Sequence, residues 1–456
     1  MTDISTHPAS FRDPAGFVFA VDGVIYRQVN LAYAKQYEHL TSSGLYAKLT
    51  GEGLLIPHTE SNDNLVLSPD HYKTLLPEQL SRLSYPAEWC PEQLKDAALL
   101  TLMIQRLAMA NGMSLKDATP FNIQFVNGQP ILIDTLSLEL YDHTKPWIAY
   151  RQFCECFLFP LYIHRYAQTG TAKIAAAWPG GIPAVVTARL LPWKSRLNAG
   201  AWLHVFLQNR VTSRKSPIDE QHLKFSKAKL DNLIDHLGST ISRLSIKANA
   251  SSAWSNYYDE TILGKEYLTA KQQLFRQYLD GIRFADALDL GCNDGYFSKI
   301  LAGTDASVIA VDSDWPCLDR LYREHIPNIL PLCVDLANPT PATGFRNAER
   351  ASFTDRAASD LVVALALIHH LALVNNIPFG LIADYFGQLA KKYLIVEYVP
   401  LSDPKANDLI ARRQSPVADY DPQHFELAFS RNFEIENKAP IAGSERVLYL
   451  LKKRTT

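Results

Sequence analysis

The sequence predicts an α/β chain in two parts. A doubly wound, mostly parallel sheet is expected over residues 253–456 and a mainly helical α+β domain over residues 1–204, with a helical linker at 205–252. Three observations carry this expectation. Short apolar runs that end in an acid alternate with helical patterns through the second part. The first of those runs opens onto a turn of small residues at a helix start. In the first part, a long amphipathic helix precedes a polar loop and a hairpin. A chain of 456 residues is also long enough for two or three domains.

The second part is anchored by Ala287-Leu-Asp-Leu-Gly-Cys-Asn-Asp-Gly-Tyr-Phe-Ser298. Its apolar run predicts a strand with Asp289 near the end, then a tight loop at Gly291, Asn293 and Gly295, then a helix over Tyr296–Leu301. Glycine clears side chains from such a loop, so a ligand can lie against backbone amides at the helix N-terminus. Asn293 also tolerates left-handed backbone angles. Ser307–Asp312 is the next strand, ending in an acid placed to accept hydrogen bonds from ribose hydroxyls. Ile329–Asp335 repeats the design. Asp360–Ala366 reads as a fully buried strand, Leu394–Glu397 as a fifth, and Val447–Leu451 as a terminal one. The helix around Lys265–Leu279 precedes the sheet, and the aromatics of Trp254–Tyr258 either close over a ligand or pack on the sheet.

These residues resemble the first motif of class I S-adenosylmethionine-dependent methyltransferases, D/E-x-G-x-G-x-G, with Asn293 in place of the middle glycine. The resemblance spans about residues 253–453 and implies a Rossmann-like fold with S-adenosylmethionine over the loop formed by Gly291, Asn293 and Gly295. It places Asp289 near the methionine end, Asp312 on the ribose and Asp335 by the adenine. Any one acid reads equally well as a strand end near solvent. Three in register behind the loop favour the cofactor, and the loop lacks the G-x-G-x-x-G spacing of a nicotinamide-binding enzyme. After the fourth strand, His369 and His370 stand where this family places catalytic or acceptor-facing groups. Either could take a proton from a hydroxyl or amine, or simply cap and pack the helix expected near Leu371. Glu397 ends the fifth strand and is a candidate substrate contact, or a solvated strand-end carboxylate. There is no Asn/Asp-Pro-Pro-Tyr and no Pro-Cys nucleophile, so DNA-base methylation is not matched.

The first part has its own constellation. Phe17–Arg27 reads as a hairpin around Asp22-Gly23, Leu31–Leu49 as helix, and Leu54–His58 as a short strand. Pro91–Met109 is a helix with Pro91 in its first turn and Leu94, Ala98, Leu102 and Leu107 as its apolar stripe. Then come Asp117, Asn122, a hairpin turned at Asn127-Gly128 and Asp134. This order resembles the catalytic segment of protein kinases and aminoglycoside phosphotransferases. The resemblance implies an acceptor-orienting Asp117, with Asn122 and Asp134 holding magnesium against ATP. Departures are plain: no glycine-rich phosphate loop is present, Arg27 stands where lysine is expected, and Thr135-Leu136 follows Asp134. An active kinase, a nucleotide-binding remnant and local capping by Asp117 and Asn122 all remain open. The aromatic stretch Pro146–Phe159 reads as the helical floor of such a domain.

The net charge of −2 gives no global electrostatic case for nucleic acid or a membrane surface. No apolar run approaches membrane-spanning length, and the start has no signal-peptide pattern. The six cysteines contain no Cys-x-x-Cys pair, which points to a reducing cytoplasm without a structural metal. Arg210, Arg214, Lys215, Lys224, Lys227 and Lys229 lie on the expected linker, read as a solvated helix rather than a polyanion site. As a whole, the chain is similar to a bacterial group of methyltransferases and nodulation-type proteins, a label that specifies no substrate. The resulting expectation is a methyltransferase acting on an oxygen or nitrogen acceptor in a small molecule, glycan, protein or RNA. A phosphotransferase with an S-adenosylmethionine-sensing domain and a non-enzymatic scaffold are the alternatives. The acceptor and the oligomeric state are not legible.

Overall fold

The computed structural model describes residues 3–212, 226–246, 265–410 and 419–454. Two compact units emerge: Met1–Lys247 with Ala342–Ala351, and Ala248–Pro341 with Ser352–Thr456.

The first unit opens with strands β1 (Ile4–Thr6), β2 (Gly16–Val21), β3 (Val24–Asn30), β4 (His58–Ser61) and β5 (His71–Pro77). They form an antiparallel sheet in the order β1-β2-β3-β5-β4. Asp22 and Gly23 both have positive φ, as the tight β2–β3 turn requires. Two expectations need correction here. The helix expected over Leu31–Leu49 breaks at Gly44, whose φ of 82° no continuing helix accepts, leaving Ala34–Ser42 and Leu45–Gly51. The strand expected at Leu54–His58 is only a bridge from Leu55 to Leu132, and pairing begins at His58.

The Pro91–Ala110 helix buries Leu94, Ala98 and Leu102 as expected. Two short hairpin ladders follow: β6 (Met113–Leu115) with β9 (Leu138–Leu140), and β7 (Ile123–Val126) with β8 (Gln129–Leu132). The aromatic floor forms a helix interrupted by a π-turn at Cys154–Leu158, with Phe153, Phe157 and Phe159 fully buried. The expected solvated linker is different in its described part. Lys227–Ser242 is a helix whose Leu230, Ile234, Leu237 and Ile241 are buried, and it packs along the Pro91–Ala110 helix. Its i, i+4, i+7 apolar spacing gives one continuous face that burial rewards. Arg214, Lys215, Lys224 and Trp254–Tyr258 lie outside the described residues.

The second unit is a seven-stranded sheet of β10 (Asp286–Leu290), β11 (Ser307–Asp312), β12 (Ile329–Cys333), β13 (Ser359–Ala364), β14 (Ala390–Tyr398), β15 (Phe433–Pro440) and β16 (Val447–Lys453). Their order is β12-β11-β10-β13-β14-β16-β15. The first five are parallel and β16 inserts antiparallel between β14 and β15. This is the Rossmann-like doubly wound sheet expected from the sequence. Near-continuous burial along β10, β11 and β13 explains why those strands read as unbroken apolar runs. β15 is an edge strand with mostly exposed residues, so it carried no apolar signal. The order reverses between β10 and β13, and ligands of open α/β sheets bind at the carboxyl ends beside such a switch point.

Candidate functional site

A cavity of about 240 Å³ lies at the carboxyl ends of β10–β13. Gly291 and Asn293 form its floor, Asp312 and Asp335 line one side, and Lys271 and His370 also face it. The loop's left-handed residues are Gly291 (φ 74°), Asn293 (φ 54°) and Gly295 (φ 79°). A side chain on Gly291 would press against Leu367, and one on Gly295 would meet Leu321 Cδ1 at 2.6 Å. Asp312 fixes the loop: its Oδ2 accepts from Asn293 N and its Oδ1 from Asp314 N, both at 2.9 Å. Burial raises its carboxyl, and those backbone donors oppose the rise. Asp335 Oδ1 accepts from Ala337 N at 3.0 Å.

Asp289 stands on β10, one residue before its end. It is buried and not on the cavity wall, and it accepts a 2.6 Å hydrogen bond from Ser298 Oγ. Burial pushes its carboxyl up to about 6, with Ser298 and Lys271 pulling the other way. It ties the strand to the helix behind the loop.

The structure also corrects the reading of Glu397. This carboxylate is fully buried and absent from the cavity wall. Lys271 Nζ reaches its Oε2 at 2.5 Å, Arg446 Nη1 reaches its Oε1 at 3.2 Å, and the Tyr267 hydroxyl donates to Oε1. Arg446 is held in turn by both oxygens of Asp403, at 2.7 and 3.1 Å. Burial alone would raise the Glu397 carboxyl; Lys271 and Arg446 outweigh it and hold the group at about 2. Burial pulls the Lys271 ammonium down, and Glu397 opposes that.

The two histidines separate by role. His370 lines the cavity, and burial, then Arg446, lowers it to about 4, so it is neutral at pH 7. His369 is buried behind it, and its Nδ1 has no partner among the described residues. The helix expected near Leu371 is a single π-turn, His370–Val374.

The first unit holds a larger cavity, about 530 Å³, on whose wall Asp117, Asn122 and Asp134 all appear. Arg27 Nη1 pairs with Asp134 Oδ1 at 2.6 Å. That oxygen also accepts from Leu136 N at 3.0 Å, and Oδ2 accepts from Ser137 Oγ at 2.7 Å. Asn122 Nδ2 is spent on Ser137 Oγ at 3.0 Å. Asp117 Oδ1 accepts from Gln152 Nε2 at 2.7 Å and from Thr119 N at 3.2 Å. Local capping and a shared cavity therefore coexist. Asp134 is thus held by Arg27, Leu136 and Ser137. Among the described residues no group of three or more His, Cys, Asp or Glu is arranged to hold a metal.

No family model matches the chain. Nodulation protein NoeA of Rhizobium meliloti (strain 1021) is 30% identical over 456 residues, spanning 97% of this chain and 95% of that one. The chain belongs to the NoeA family. Among solved structures, the N-methyltransferase NodS from Bradyrhizobium japonicum WM9 matches 42% of this chain and 98% of its own, at 12% identity and a TM-score of 0.32. The bifunctional kinase-methyltransferase WbdD matches 41% of this chain and 38% of its own, at 16% identity and a TM-score of 0.27.

Sequence reasoning missed Lys271 on the cavity wall, and Tyr267 and Arg446, which share its buried carboxylate partner Glu397. A signal was present for Lys271. It falls at helical spacing between Tyr267 and Phe275, both buried, so a lysine sits inside an apolar stripe. The NoeA-family chain thus pairs an acid-lined half of the cavity, at β11 and β12, with a cation braced from β14.

Proposed function

We propose that the second unit binds S-adenosylmethionine and transfers its methyl group to an oxygen or nitrogen nucleophile. What supports this reading above all is the cavity wall: a left-handed glycine loop flanked by Asp312 and Asp335 on one side and by Lys271 on the other. The ligand is chemically two-ended, and this wall matches both ends. Carboxylates at the ends of β11 and β12 suit ribose hydroxyls and an exocyclic amine, and the braced ammonium of Lys271 suits a carboxylate. Gly291 leaves backbone bare where a cofactor would lie.

When bound, the cofactor supplies an electrophilic methyl on a sulfonium. The chain's own residues do the rest. His370, neutral above about pH 4, offers a nitrogen that accepts a proton from a hydroxyl or amine acceptor. Leu365, Leu367 and Leu371 line the same cavity and exclude water around the acceptor. Positioning supplies most of the acceleration in such a site. The nodulation role in the relative's name is carried over as part of the same proposal.

Calorimetric titration with S-adenosylmethionine tests the reading. Binding should be weakened at least about tenfold in Asp312→Ala, the loss of one charge-assisted hydrogen bond, and abolished in Gly295→Trp. Unchanged affinity in both would sink it. Incubating cell extract with labelled cofactor then shows whether label follows protein, RNA, glycan or small molecule. For the first unit, ATP binding stays a second proposal that rests on its cavity alone; no phosphoryl transfer is derived from a carboxylate engaged as Asp134 is.

A further inference from the structure

The near-zero net charge conceals a local asymmetry. Between Glu155 and Asp219 the sequence contains no Asp or Glu, while eight Lys and Arg fall in that interval. The described part of this stretch, in the first unit, also exposes large apolar side chains. Leu197 is 80% exposed, Trp193 69% and Leu190 55%. All three tryptophans among the exposed large hydrophobics, Trp178, Trp193 and Trp202, lie here. Large apolar side chains exposed together in one short stretch are the kind of surface that marks an interaction site.

The local structure explains why these side chains point outward together. In the 3-10 turn Trp193–Leu197, Ser195 is buried and its hydroxyl is tied to Pro192 O at 2.6 Å. Trp193, Lys194, Arg196 and Leu197 are left exposed around it, apolar and basic side by side. The neighbouring helix Ala184–Leu190 buries Ala184 and Thr187, which turns Val185, Arg189 and Leu190 outward. Both elements pack on the π-turn Trp202–Leu207. Between them opens a cavity of about 380 Å³ lined by Arg189, Arg196 and Arg210 together with Trp202 and Phe206. Arg196 lies over the Phe206 ring, 5.3 Å from its centroid. Among the described residues none of these three arginines has an acidic partner.

We propose that this face docks on an anionic phospholipid bilayer, with Trp193 and Leu197 entering the interface and the arginine-lined cavity taking a lipid phosphate. Three features select a bilayer. Tryptophan beside leucine suits the boundary between headgroups and chains. Arginine forks match phosphate oxygens. A stretch with eight cations and no acid is drawn to anionic lipid at about 1 kcal/mol per cation. No helix among the described residues is long and apolar enough to cross a membrane, so the contact is with the surface.

The test is co-sedimentation of the full chain with vesicles of phosphatidylcholine alone or of phosphatidylcholine with phosphatidylglycerol. Binding to the anionic vesicles only, falling with added salt, is the expected result. Each of Arg189→Gln and Arg210→Gln should weaken it by about fivefold. The double variant Trp193→Ala/Leu197→Ala should weaken it by about tenfold or more. These side chains are exposed, and unchanged circular dichroism would certify the fold of each variant. Equal binding to both vesicle types, or to neither, overturns the proposal. So does a dimer in light scattering that Leu197→Asp dissociates while vesicles are ignored, which would make the face a contact between copies. Retention of RNA rather than vesicles, lost in the same arginine variants, would also overturn it.

Discussion

At the scale of single residues, the loop beneath the cavity is decided by backbone angle and by room. Gly291, Asn293 and Gly295 all sit at positive φ, yet Gly295 is the most crowded of the three. Gly295 faces Leu321, with contacts below 3 Å to both methyl carbons, whereas Asn293 already carries a side chain and uses it, since its Oδ1 accepts from Asp294 N at 2.7 Å. Gly295→Ala should therefore cost about 2 kcal/mol or more, combining an unfavourable φ with overpacking. Asn293→Gly should stay within about 1 kcal/mol, trading one hydrogen bond for relief of backbone strain. Urea denaturation of the two variants checks this, and equal losses would contradict it. The reading of Asn293 as a tolerable stand-in for glycine was legible from residue type alone. The burial of Asp289 was not, because a strand-end acid looks the same in sequence whether it faces the ligand or the helix behind the loop.

At the scale of elements, the second unit's strands were legible wherever burial made them uniformly apolar. β15 was missed because an exposed edge strand has no such signature, and the β6–β9 ladder was missed because three-residue strands are too short to show one. The ion cluster between the Lys265–Asp280 helix, β14 and the residue before β16 depends on residues 43 to 179 positions apart, a pairing no local pattern encodes. Its energetics are testable. Glu397→Gln leaves Lys271 and Arg446 facing each other in the interior without their shared counter-charge, which should cost roughly 3 kcal/mol or more. The sign of the pH dependence follows from the depressed carboxyl. The folded state holds Glu397 at about 2, below its ordinary 4.5. Its stabilisation is thus complete above about pH 4.5 and is lost as pH falls toward 2. The stability gap between the natural chain and Glu397→Gln should be widest near neutrality and shrink through that acid window. A gap independent of pH would show that the lost contribution is packing rather than charge.

At the scale of the whole molecule, the division into two halves was legible from composition and motif, but its thread was not. Residues Ala342–Ala351 belong to the first unit although they fall between strands of the second. In sequence they are an unremarkable polar loop after β12. Within the first unit, Arg350 lies 3.6 Å from the centroid of the Phe121 ring, Arg12 Nη1 donates to Glu349 Oε2 at 2.8 Å, and Phe345 packs beside Phe11. A cut at the boundary that sequence suggests, after residue 252, therefore removes a piece of the first unit's own fabric. The stacking of Arg350 on Phe121 alone is worth about 1 kcal/mol at this partly buried site, or about 2–4 °C in melting temperature for a unit of this size. A fragment of residues 1–252 should melt at least that much below the same fragment carrying residues 342–351 on a flexible C-terminal linker. Arg350→Ala in the linked form should bring most of the difference back. Identical melting of the two fragments would show that the segment rests on the first unit without stabilising it.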